Sequence, residues 1–290
     1  MRILVTGAKG FLGKAVSEHF LKNGHEVVRV DKRENKLESN NDVIMGDLRD
    51  LDFCDKIMTG VNVVIHLAAT PSPTDSRHYD AFANNVDSTF AIFSAAAQAK
   101  VQKVIYASST AIYGVSYSAH GISPKYVPID ELHPTLHDDS YALSKHVNEL
   151  SAKMWSALTG LSFIGIRFAW ISEENKLIEL ISQASKKSPD QAHQFSKYLW
   201  SYLDLRDAVL SIDTVAMSNF QGIDVFNLAA PQIFVNRQTR ELIDEYFPDC
   251  EINKEMKGFQ SPISSNKFIS KFGYSPKFLF DLSTSAKISH

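Results

Sequence analysis

The chain has 290 residues, of which 44% are hydrophobic and 22% are charged, and its formal net charge is −3. These values are typical of a globular protein with a sizeable buried core, and they disfavour a protein that binds nucleic acid or a membrane surface through strong positive charge. The longest apolar stretch, residues 61–70, is interrupted by Asn62 and His66 and is too short to span a bilayer. We therefore expect neither a nucleic-acid partner nor a membrane partner.

The chain carries two cysteines, Cys54 and Cys250, which are far apart in the sequence. They provide neither a disulfide framework nor the spacing of a metal site, so we expect no metal ion and a reducing compartment, the cytoplasm. The first apolar run begins at Arg2, which predicts that no signal peptide is present.

The strongest pattern lies in the first 31 residues. It consists of an apolar run, a glycine-rich turn, a helical pattern and a second apolar run, at residues 2–6, 7–13, 12–21 and 25–31. The first run is typical of a buried parallel strand, Asn23 and Gly24 end the helix, and the second run closes on Asp31. A strand, a glycine turn, a helix and a strand ending in an acid within about thirty residues predict a dinucleotide-binding unit.

Each glycine of the turn has a physical role in this prediction. Gly7 allows the sharp turn out of the strand, Gly10 lets the backbone approach a pyrophosphate, and Gly13 lets the helix pack closely on the sheet. The helix opens at Phe11 and Leu12, where its free N–H groups favour a phosphate. These five residues are predicted to bind the cofactor.

The acid at the end of the second strand predicts which cofactor is bound. Asp31 can accept hydrogen bonds from both hydroxyls of an adenosine ribose and would repel a 2′-phosphate, which favours NAD. Lys32 and Arg33 leave two alternatives open, since they could contact the adenine and tolerate a 2′-phosphate or could form a solvated basic turn. We expect NAD, with NADP possible, and include Lys32 among the cofactor contacts.

Strands and helices continue to alternate along the chain. Further strands are predicted at residues 43–45, 61–66, 101–107 and 162–168, and helices over a stretch ending at residue 58 and at residues 79–100 and 140–159. Residues 115–137 show no periodicity and contain several prolines, which predicts a long surface loop. Less regular helices are predicted at residues 177–187, 208–219, 237–246 and 264–272, with one strand at residues 225–228. Strands that alternate with helices predict an α/β fold with a doubly wound parallel (Rossmann) sheet.

Several motifs of the chain resemble one known family. They are the Gly-x-x-Gly-x-x-Gly turn, His66-Leu67-Ala68-Ala69, Asn85-Val86, Pro128-Ile129-Asp130-Glu131, and Tyr141 with Lys145 four residues on. Together they resemble the extended branch of the short-chain dehydrogenase/reductase superfamily, in particular its NAD-dependent epimerase/dehydratase family. The resemblance covers nearly the whole chain, strongly to residue 168 and more loosely beyond.

The resemblance implies further cofactor contacts. The family places an Asp-Leu pair beside the adenine, the backbone of the His-Leu-Ala-Ala string along the cofactor, and an Asn near the nicotinamide. The matching residues, with a serine that would contact the nicotinamide amide, are Asp47, Leu48, Leu67, Ala68, Ala69, Asn85 and Ser108. Asp47 could also cap the helix that follows it, and we interpret His66 as a structural residue.

The resemblance also implies the domain organisation. We expect an NAD(P)-binding Rossmann domain with the catalytic residues over residues 1–168. A small C-terminal α/β subdomain over residues 169–290 would be mainly substrate-binding, with residues 204–228 returning to the sheet. Family members commonly form homodimers, here through the helices at residues 79–100 and 140–159, where small residues would allow close contact: Ala91, Ala95, Ala142 and Ala152.

Catalysis is predicted from a tyrosine and a lysine one helical turn apart. Of the ten tyrosines, only Tyr141 has a lysine four residues on, and a helix places Tyr141 and Lys145 on one face. The tyrosine pKa is ordinarily about 10, and a nearby ammonium favours the phenolate and lowers that value. Ser109, which matches the family's catalytic serine, would polarise the substrate oxygen while Tyr141 moves the proton. Lys145 would also bind the nicotinamide ribose.

The predicted substrate contacts are Thr70, Ser109, Thr110, Trp170 and Trp200. Nucleotide-sugar enzymes of the family carry an Asn and an Arg at the positions that correspond to the two tryptophans. A neutral indole cannot neutralise a diphosphate, so Trp170 and Trp200 predict a smaller and more apolar pocket.

Three functions therefore stay open. The first is an NAD(P)-dependent oxidoreductase acting on a hydroxyl or carbonyl carbon of a small substrate. The second is an NAD-dependent nucleotide-sugar epimerase or dehydratase, and the third is a non-catalytic NAD(P)-sensing protein. The intact set of Ser109, Tyr141 and Lys145 disfavours the third.

Overall fold

The computed structural model describes residues 1–32, 42–74, 77–184, 189–282 and 286–287. Its strands are β1 Arg2–Thr6, β2 Glu26–Asp31, β3 Val43–Met45, β4 Val63–His66, β5 Lys103–Ser109, β6 Tyr126–Val127, β7 Ser162–Phe168, β8 Ile171–Ser172, β9 Leu203–Asp204, β10 Ile223–Leu228, β11 Glu251–Ile252, β12 Phe280–Asp281 and β13 Ala286–Lys287. Its α-helices are α1 Phe11–Lys22, α2 Leu51–Ile57, α3 His78–Gln98, α4 Ser140–Thr159, α5 Glu174–Ala184, α6 Pro189–Ser196, α7 Leu205–Met217, α8 Thr239–Tyr246 and α9 Asn266–Phe272. A short 3₁₀ helix, Thr110–Tyr113, follows β5.

A seven-stranded sheet organises the fold. Its strand order is β10-β7-β5-β4-β1-β2-β3, and β1 pairs in parallel with both β2 and β4. The sheet grows outward from β1 in two directions, through β2 and β3 on one side and through β4, β5, β7 and β10 on the other. This confirms the predicted doubly wound arrangement, which places a ligand crevice at the carboxyl ends of β1 and β4.

The chain divides into two compact units. The first comprises residues 1–108, 143–166 and 212–225, and the second comprises residues 109–142, 167–211 and 226–290. The chain crosses between the two units after residues 108, 142, 166, 211 and 225. The segment 109–142, which the sequence analysis assigned to the cofactor domain, belongs to the second unit instead.

The predicted surface loop at residues 115–137 is partly buried, which explains this grouping. Val127 and Ile129 are fully buried, and β6 pairs with β11. Ile129 exchanges backbone hydrogen bonds with Pro262 and Ser264, at 2.7 and 2.8 Å. Because these partners are distant in the sequence, no local pattern indicates them.

Each unit has its own apolar core. In the first unit, fully buried aliphatic residues of β4 and β5 pack with Phe93 and Phe163, whose ring centroids lie 4.8 Å apart. The core of the second unit is rich in aromatic residues, including Trp200, Tyr202 and Phe234. Large aromatic side chains bury much apolar surface and so dominate the stability of such a core.

The exposed residues of helices α3 and α4 differ from those that were expected at a subunit contact. The small residues predicted at a subunit contact are buried within the fold: Ala91, Ala95, Ala142 and Ala152. The exposed face of α4 carries larger apolar residues, namely Leu143, Leu150, Met154 and Leu158. Their spacing along the helix places these four side chains on one face. On α3, Phe90 is exposed as well.

None of the described helices is long and apolar enough to cross a membrane. Within the described part of the chain, no group of three or more His, Cys, Asp and Glu side chains could hold a metal ion. Cys54 is buried, Cys250 is half-buried, and both are free thiols.

Candidate active site

The glycine turn between β1 and α1 forms one wall of a cavity of about 340 Å³ in the first unit. Gly7 has a φ of +69°, and a Cβ at this position would lie 2.8 Å from the backbone nitrogen of Ala68. A Cβ on Gly13 would lie 2.0 Å from the carbonyl oxygen of Gly7. Any larger side chain would distort the turn, so the close approach of β1, α1 and the chain after β4 requires glycine here.

Most of the residues predicted to bind the cofactor line this cavity. They are Gly7, Gly10, Phe11, Leu12, Gly13, Asp31, Lys32, Asp47, Leu48, Leu67, Ala68 and Ala69. Thr70, predicted to contact substrate, lines the same cavity. Five further lining residues were not predicted from the sequence, namely Gly46, Pro71, Asn84, Ser88 and Ala107.

Two predicted cofactor contacts lie behind the cavity lining. Asn85 is fully buried, and its side-chain amide binds the backbone N–H and C=O of Thr70 at 2.7 and 3.0 Å. Its neighbour Asn84 lines the cavity instead. The buried Ser108 hydroxyl donates to Oε1 of Glu149 at 2.6 Å. The family motif indicated Asn85, but consecutive residues of a helix point about 100° apart, and it is Asn84 that lines the cavity.

Asp31 and Lys32 lie in the cavity wall at the end of β2. Asp31 is buried, and one of its carboxylate oxygens accepts a hydrogen bond from the backbone N–H of Lys9 at 2.8 Å. The Lys32 ammonium donates to the side-chain oxygen of Asn84 on α3. Lys32 is therefore bonded to another residue of the cavity lining. Arg33, the second basic residue considered above, lies outside the described residues.

Asp47 also lies in this wall and pairs with Arg49. The Arg49 Nε lies 3.0 Å from each carboxylate oxygen of Asp47, and hydrogen bonding from this side chain lowers the pKa of Asp47 to about 2. Asp47 is therefore ionised at neutral pH. The helix-capping role that we considered for Asp47 belongs to Asp50, whose carboxylate accepts from the backbone N–H of Phe53 at 3.2 Å.

His66 supports the cavity from behind. The Thr6 hydroxyl accepts from the backbone N–H groups of Leu67 and Ala68, at 3.2 and 3.3 Å, so its own proton is directed to Nδ1 of His66, 2.8 Å away. We therefore assign the ring proton to Nε2, which donates to the Thr89 hydroxyl at 3.0 Å. Burial lowers the pKa of His66 to about 3, so the ring is neutral, which agrees with a structural role.

Lys145 lies on α4 with its ammonium at the end of β5. The ammonium donates to the carbonyl oxygen of Ala107, a cavity-lining residue, at 2.8 Å. Burial lowers the pKa of Lys145 to about 8, against the attraction of Glu149, which raises it. The ammonium is thus still mostly protonated at neutral pH.

Tyr141 and Ser109 are joined by a side-chain hydrogen bond. The Tyr141 side chain is buried, and burial raises the pKa of its phenol to about 12, although the Ser109 hydrogen bond acts in the opposite direction. This corrects the sequence argument, in which Lys145 lowers the tyrosine pKa. Desolvation of the phenolate outweighs the favourable interactions, so the phenol carries its proton at neutral pH.

Thr110, predicted to contact substrate, and its neighbour Tyr113 have structural contacts within the second unit. Thr110 donates from its hydroxyl to the carbonyl oxygen of Phe168 at 3.3 Å. Tyr113 donates to Oδ1 of Asn227 at 2.6 Å and accepts from Nη1 of Arg167 at 2.8 Å. Burial raises the pKa of Tyr113 to about 12. Tyr113 and Arg167 are thus bonded to each other inside the second unit.

The two tryptophans predicted to contact substrate differ in exposure. Trp200 is fully buried, and its indole N–H donates to the carbonyl oxygen of Ala192 at 2.7 Å. Trp200 is therefore a core residue, which corrects its assignment as a substrate contact. Trp170 is half-buried and stacks on Tyr198, with ring centroids 5.9 Å apart and planes 18° apart.

Among the residues that were not predicted from the sequence, Asn84 and Glu149 bond to residues predicted to bind the cofactor, Lys32 and Ser108. A signal for Glu149 was available, because it follows Lys145 by four residues and so shares its helical face. Asn84 had no comparable signal, since its role depends on Lys32, which reaches it from another element.

Comparison with known proteins shows to which family and to which relatives the chain is similar. A model of the NAD dependent epimerase/dehydratase family matches residues 3–229. A UDP-glucose 4-epimerase of Streptomyces lividans is 28% identical over 192 residues, which are 62% of this chain and 55% of the enzyme. An L-arabinose 1-dehydrogenase (NAD(P)(+)) of Haloferax volcanii is 27% identical over 187 residues, or 63% of this chain and 72% of that protein.

The fold has close counterparts among solved structures. One is a short-chain dehydrogenase/reductase superfamily protein from Agrobacterium tumefaciens with bound NAD, which has a TM-score of 0.71 and 20% sequence identity over 98% of this chain and 94% of that chain. The sequence match to the epimerase spans little more than half of that enzyme. The family match, in contrast, extends over most of the present chain, which therefore belongs to the NAD dependent epimerase/dehydratase family.

Proposed function

We propose that the protein is an NAD-dependent oxidoreductase that transfers a hydride to or from a hydroxyl or carbonyl carbon of a small substrate, with Tyr141 as acid and base. The observation that carries the proposal is the hydrogen bond between Ser109 and the buried phenol of Tyr141. It places a protonated phenol beside a hydroxyl, on the helix that also carries Lys145. General acid–base catalysis needs a proton donor positioned in this way.

The cavity of the first unit fits a dinucleotide. Gly7 and Gly13 leave no room for a Cβ, so backbone N–H groups at the start of α1 can approach a pyrophosphate. Asp31 would accept hydrogen bonds from the adenosine ribose, and Lys145, tied to the cavity-lining Ala107, would hold the nicotinamide ribose. When bound, the cofactor supplies or accepts the hydride.

The residues of the chain supply the proton chemistry. In reduction of a carbonyl compound, Tyr141 donates its proton to the oxygen that becomes a hydroxyl, and Ser109 stabilises that oxygen by a hydrogen bond. In oxidation the same phenol must first lose its proton, which its raised pKa disfavours at neutral pH. A charged ligand group or the Lys145 ammonium would have to offset that cost.

Similarity to the Streptomyces UDP-glucose 4-epimerase supports a second candidate, an NAD-dependent nucleotide-sugar epimerase or dehydratase. The cofactor would then be reduced and reoxidised within one cycle. A panel of small polyols, hydroxy acids, aldoses and nucleotide sugars, incubated with NAD⁺ or NADH, distinguishes the two. A net change of absorbance at the NADH wavelength supports the oxidoreductase, whereas product formation without that change supports the epimerase. Cofactor binding without turnover of any compound would favour a sensing protein.

Cofactor preference gives the first quantitative prediction. We expect NADH to bind more tightly than NADPH by roughly 5- to 150-fold, because a 2′-phosphate beside the Asp31 carboxylate costs about 1–3 kcal/mol. Fluorescence titration with both cofactors measures the ratio. In Asp31→Asn the charge is lost while the shape is kept, so the ratio should shrink, whereas Asp42→Asn, a change at an exposed carboxylate, serves as the control. Tighter binding of NADPH by the parent protein would contradict the prediction.

A homodimer through α3 and α4 is the second prediction. The exposed apolar side chains of α4 include Leu150 and Leu158, with exposed fractions of 50% and 69%, which favours contact with a second copy. Light scattering should give twice the chain mass of 32.4 kDa at micromolar concentration. The double variant Leu150→Glu/Leu158→Glu should be monomeric, whereas Leu132→Glu, on a loop residue that is 88% exposed, should not dissociate the dimer. A parent protein with the mass of one chain would refute it.

A cytoplasmic location is proposed from the thiols. Cys54 and Cys250 are free, and burial raises the pKa of the Cys54 thiol to about 12, so this thiol keeps its proton. A free buried thiol is compatible with a reducing compartment. Fractionation of cells that express the protein at its natural level would test the location.

A further inference from the structure

We propose that Glu149 is a positioning residue that keeps the Lys145 ammonium charged and fixed at the cofactor cavity. The inference rests on the proposed role of Lys145 in binding the nicotinamide ribose. It adds a third carboxylate to the site, besides Asp31 and Asp47, and places it behind the cavity lining.

The geometry is a clamp between α4 and the end of β5. Two consecutive residues of β5 bind two side chains that lie one turn apart on α4. The Ala107 carbonyl oxygen accepts from the Lys145 ammonium at 2.8 Å, and the Ser108 hydroxyl donates to Oε1 of Glu149 at 2.6 Å. Lys145 and Glu149 are 4% and 3% exposed, so both contacts are shielded from water.

A buried ammonium needs a compensating charge. Burial disfavours the charged form of Lys145, and the Glu149 carboxylate favours it. From β4, His66 faces the same region, but burial holds its pKa near 3, so it adds no charge at neutral pH. From β5 the facing groups are the neutral hydroxyl of Ser108 and a backbone carbonyl. On α4 itself, Tyr141 carries a neutral phenol.

The Ser108 hydroxyl holds the Glu149 carboxylate in place by a hydrogen bond. Because its proton is donated to Glu149, the carboxylate has a fixed partner on the sheet and does not depend on the lysine alone. Ser108 thus acts through Glu149, in place of the direct cofactor contact predicted from the sequence. A carboxylate held in this way stabilises positive charge at Lys145 without contacting a ligand.

The first test measures Lys145 in the protein without ligand. In protein labelled with ¹³C at lysine Cε, the Lys145 signal is assigned by its loss in Lys145→Met, and its titration is followed by NMR. Glu149→Gln keeps the shape and removes the charge, so the Lys145 midpoint should fall by roughly one pH unit. Glu149→Asp should restore most of the difference, and Ser108→Ala should give a smaller shift in the same direction.

Ser151→Ala is the matched control, because it removes a hydroxyl that binds the Val147 carbonyl oxygen on the same helix without approaching the clamp. It should leave the Lys145 midpoint unchanged. An unchanged midpoint in Glu149→Gln would overturn the proposal. If Glu149→Gln does not fold, Ser108→Ala decides, since a midpoint equal to that of the parent in this variant would also overturn it.

The second test links the clamp to cofactor binding. The NADH dissociation constant of Glu149→Gln should equal that of the parent near pH 6 and should exceed it by several-fold near pH 8, where the variant's lysine has lost its proton. A merely structural defect would weaken binding equally at both pH values, and that outcome would overturn the proposal. If the NMR midpoint moves while NADH binding shows no pH dependence in either protein, the ribose-binding role of Lys145 is the part that fails.

Discussion

Replacement of Tyr141 by phenylalanine is expected to lower kcat by about 10²–10⁴-fold, the usual contribution of a positioned general acid or base. The phenol proton of Tyr141 is held next to the Ser109 hydroxyl in a buried site, and a phenylalanine ring retains the packing while removing the proton donor. The ring also packs against Tyr117, with centroids 5.8 Å apart, and this contact survives the change. The loss should therefore appear in turnover and not in folding.

The measurement is kcat, together with the cofactor dissociation constant and the melting temperature of each variant. Tyr126→Phe is a suitable control, because it removes a phenol that donates to Asp130 at 2.7 Å in the same unit. Cofactor affinity should be nearly unchanged in both variants. Retention of most of the activity by Tyr141→Phe would show that another group moves the proton, and Tyr113 and Thr110 would be tested next.

Replacement of Lys145 by methionine is expected to weaken cofactor binding and turnover together. The side chain makes a charged hydrogen bond to the Ala107 carbonyl oxygen at 2.8 Å and, in our proposal, a second one to the nicotinamide ribose. Hydrogen bonds to charged groups contribute about 1.5–3 kcal/mol, which corresponds to roughly a 10- to 150-fold rise in the dissociation constant. Methionine keeps the buried stem filled, so loss of packing contributes little.

Lys153→Met provides the control for this variant, since Lys153 lies on the same helix but is exposed. Fluorescence titration with NADH and steady-state kinetics separate binding from turnover. A Lys145→Met protein that binds NADH as the parent does would remove Lys145 from the cofactor site. Its role would then be confined to the clamp at the end of β5.

Local sequence patterns determined the scaffold of the cofactor site. The glycine turn, the helix after it and the acid at the end of β2 were predicted because each depends on neighbours within a few residues, through φ freedom, helix signals and apolar runs. For the same reason α4 and β7 have the predicted bounds, Ser140–Thr159 and Ser162–Phe168. A short-range pattern is sufficient to predict a turn, helix or strand where the alternative local conformations differ only in the energy of interactions between neighbouring residues.

Tertiary structure decided which side chains face the cavity. Asn84 lines it, whereas Asn85, the residue that matches the family motif, does not, because the packing of α3 sets the rotation of the helix. Trp200 was assigned to the substrate from its position in a motif, but the aromatic core of the second unit buries it completely. Burial depends on segments far apart in the chain, and no local pattern contains that information.

The electrostatics of the site were likewise decided by the fold. The spacing of Tyr141 and Lys145 predicted a lowered tyrosine pKa, since in sequence only the attraction between neighbouring charges is visible. In the folded chain, burial raises the pKa of Tyr141 to about 12 and lowers that of Lys145 to about 8. Desolvation is a property of the whole surrounding structure, so it reverses what spacing along one helix predicts.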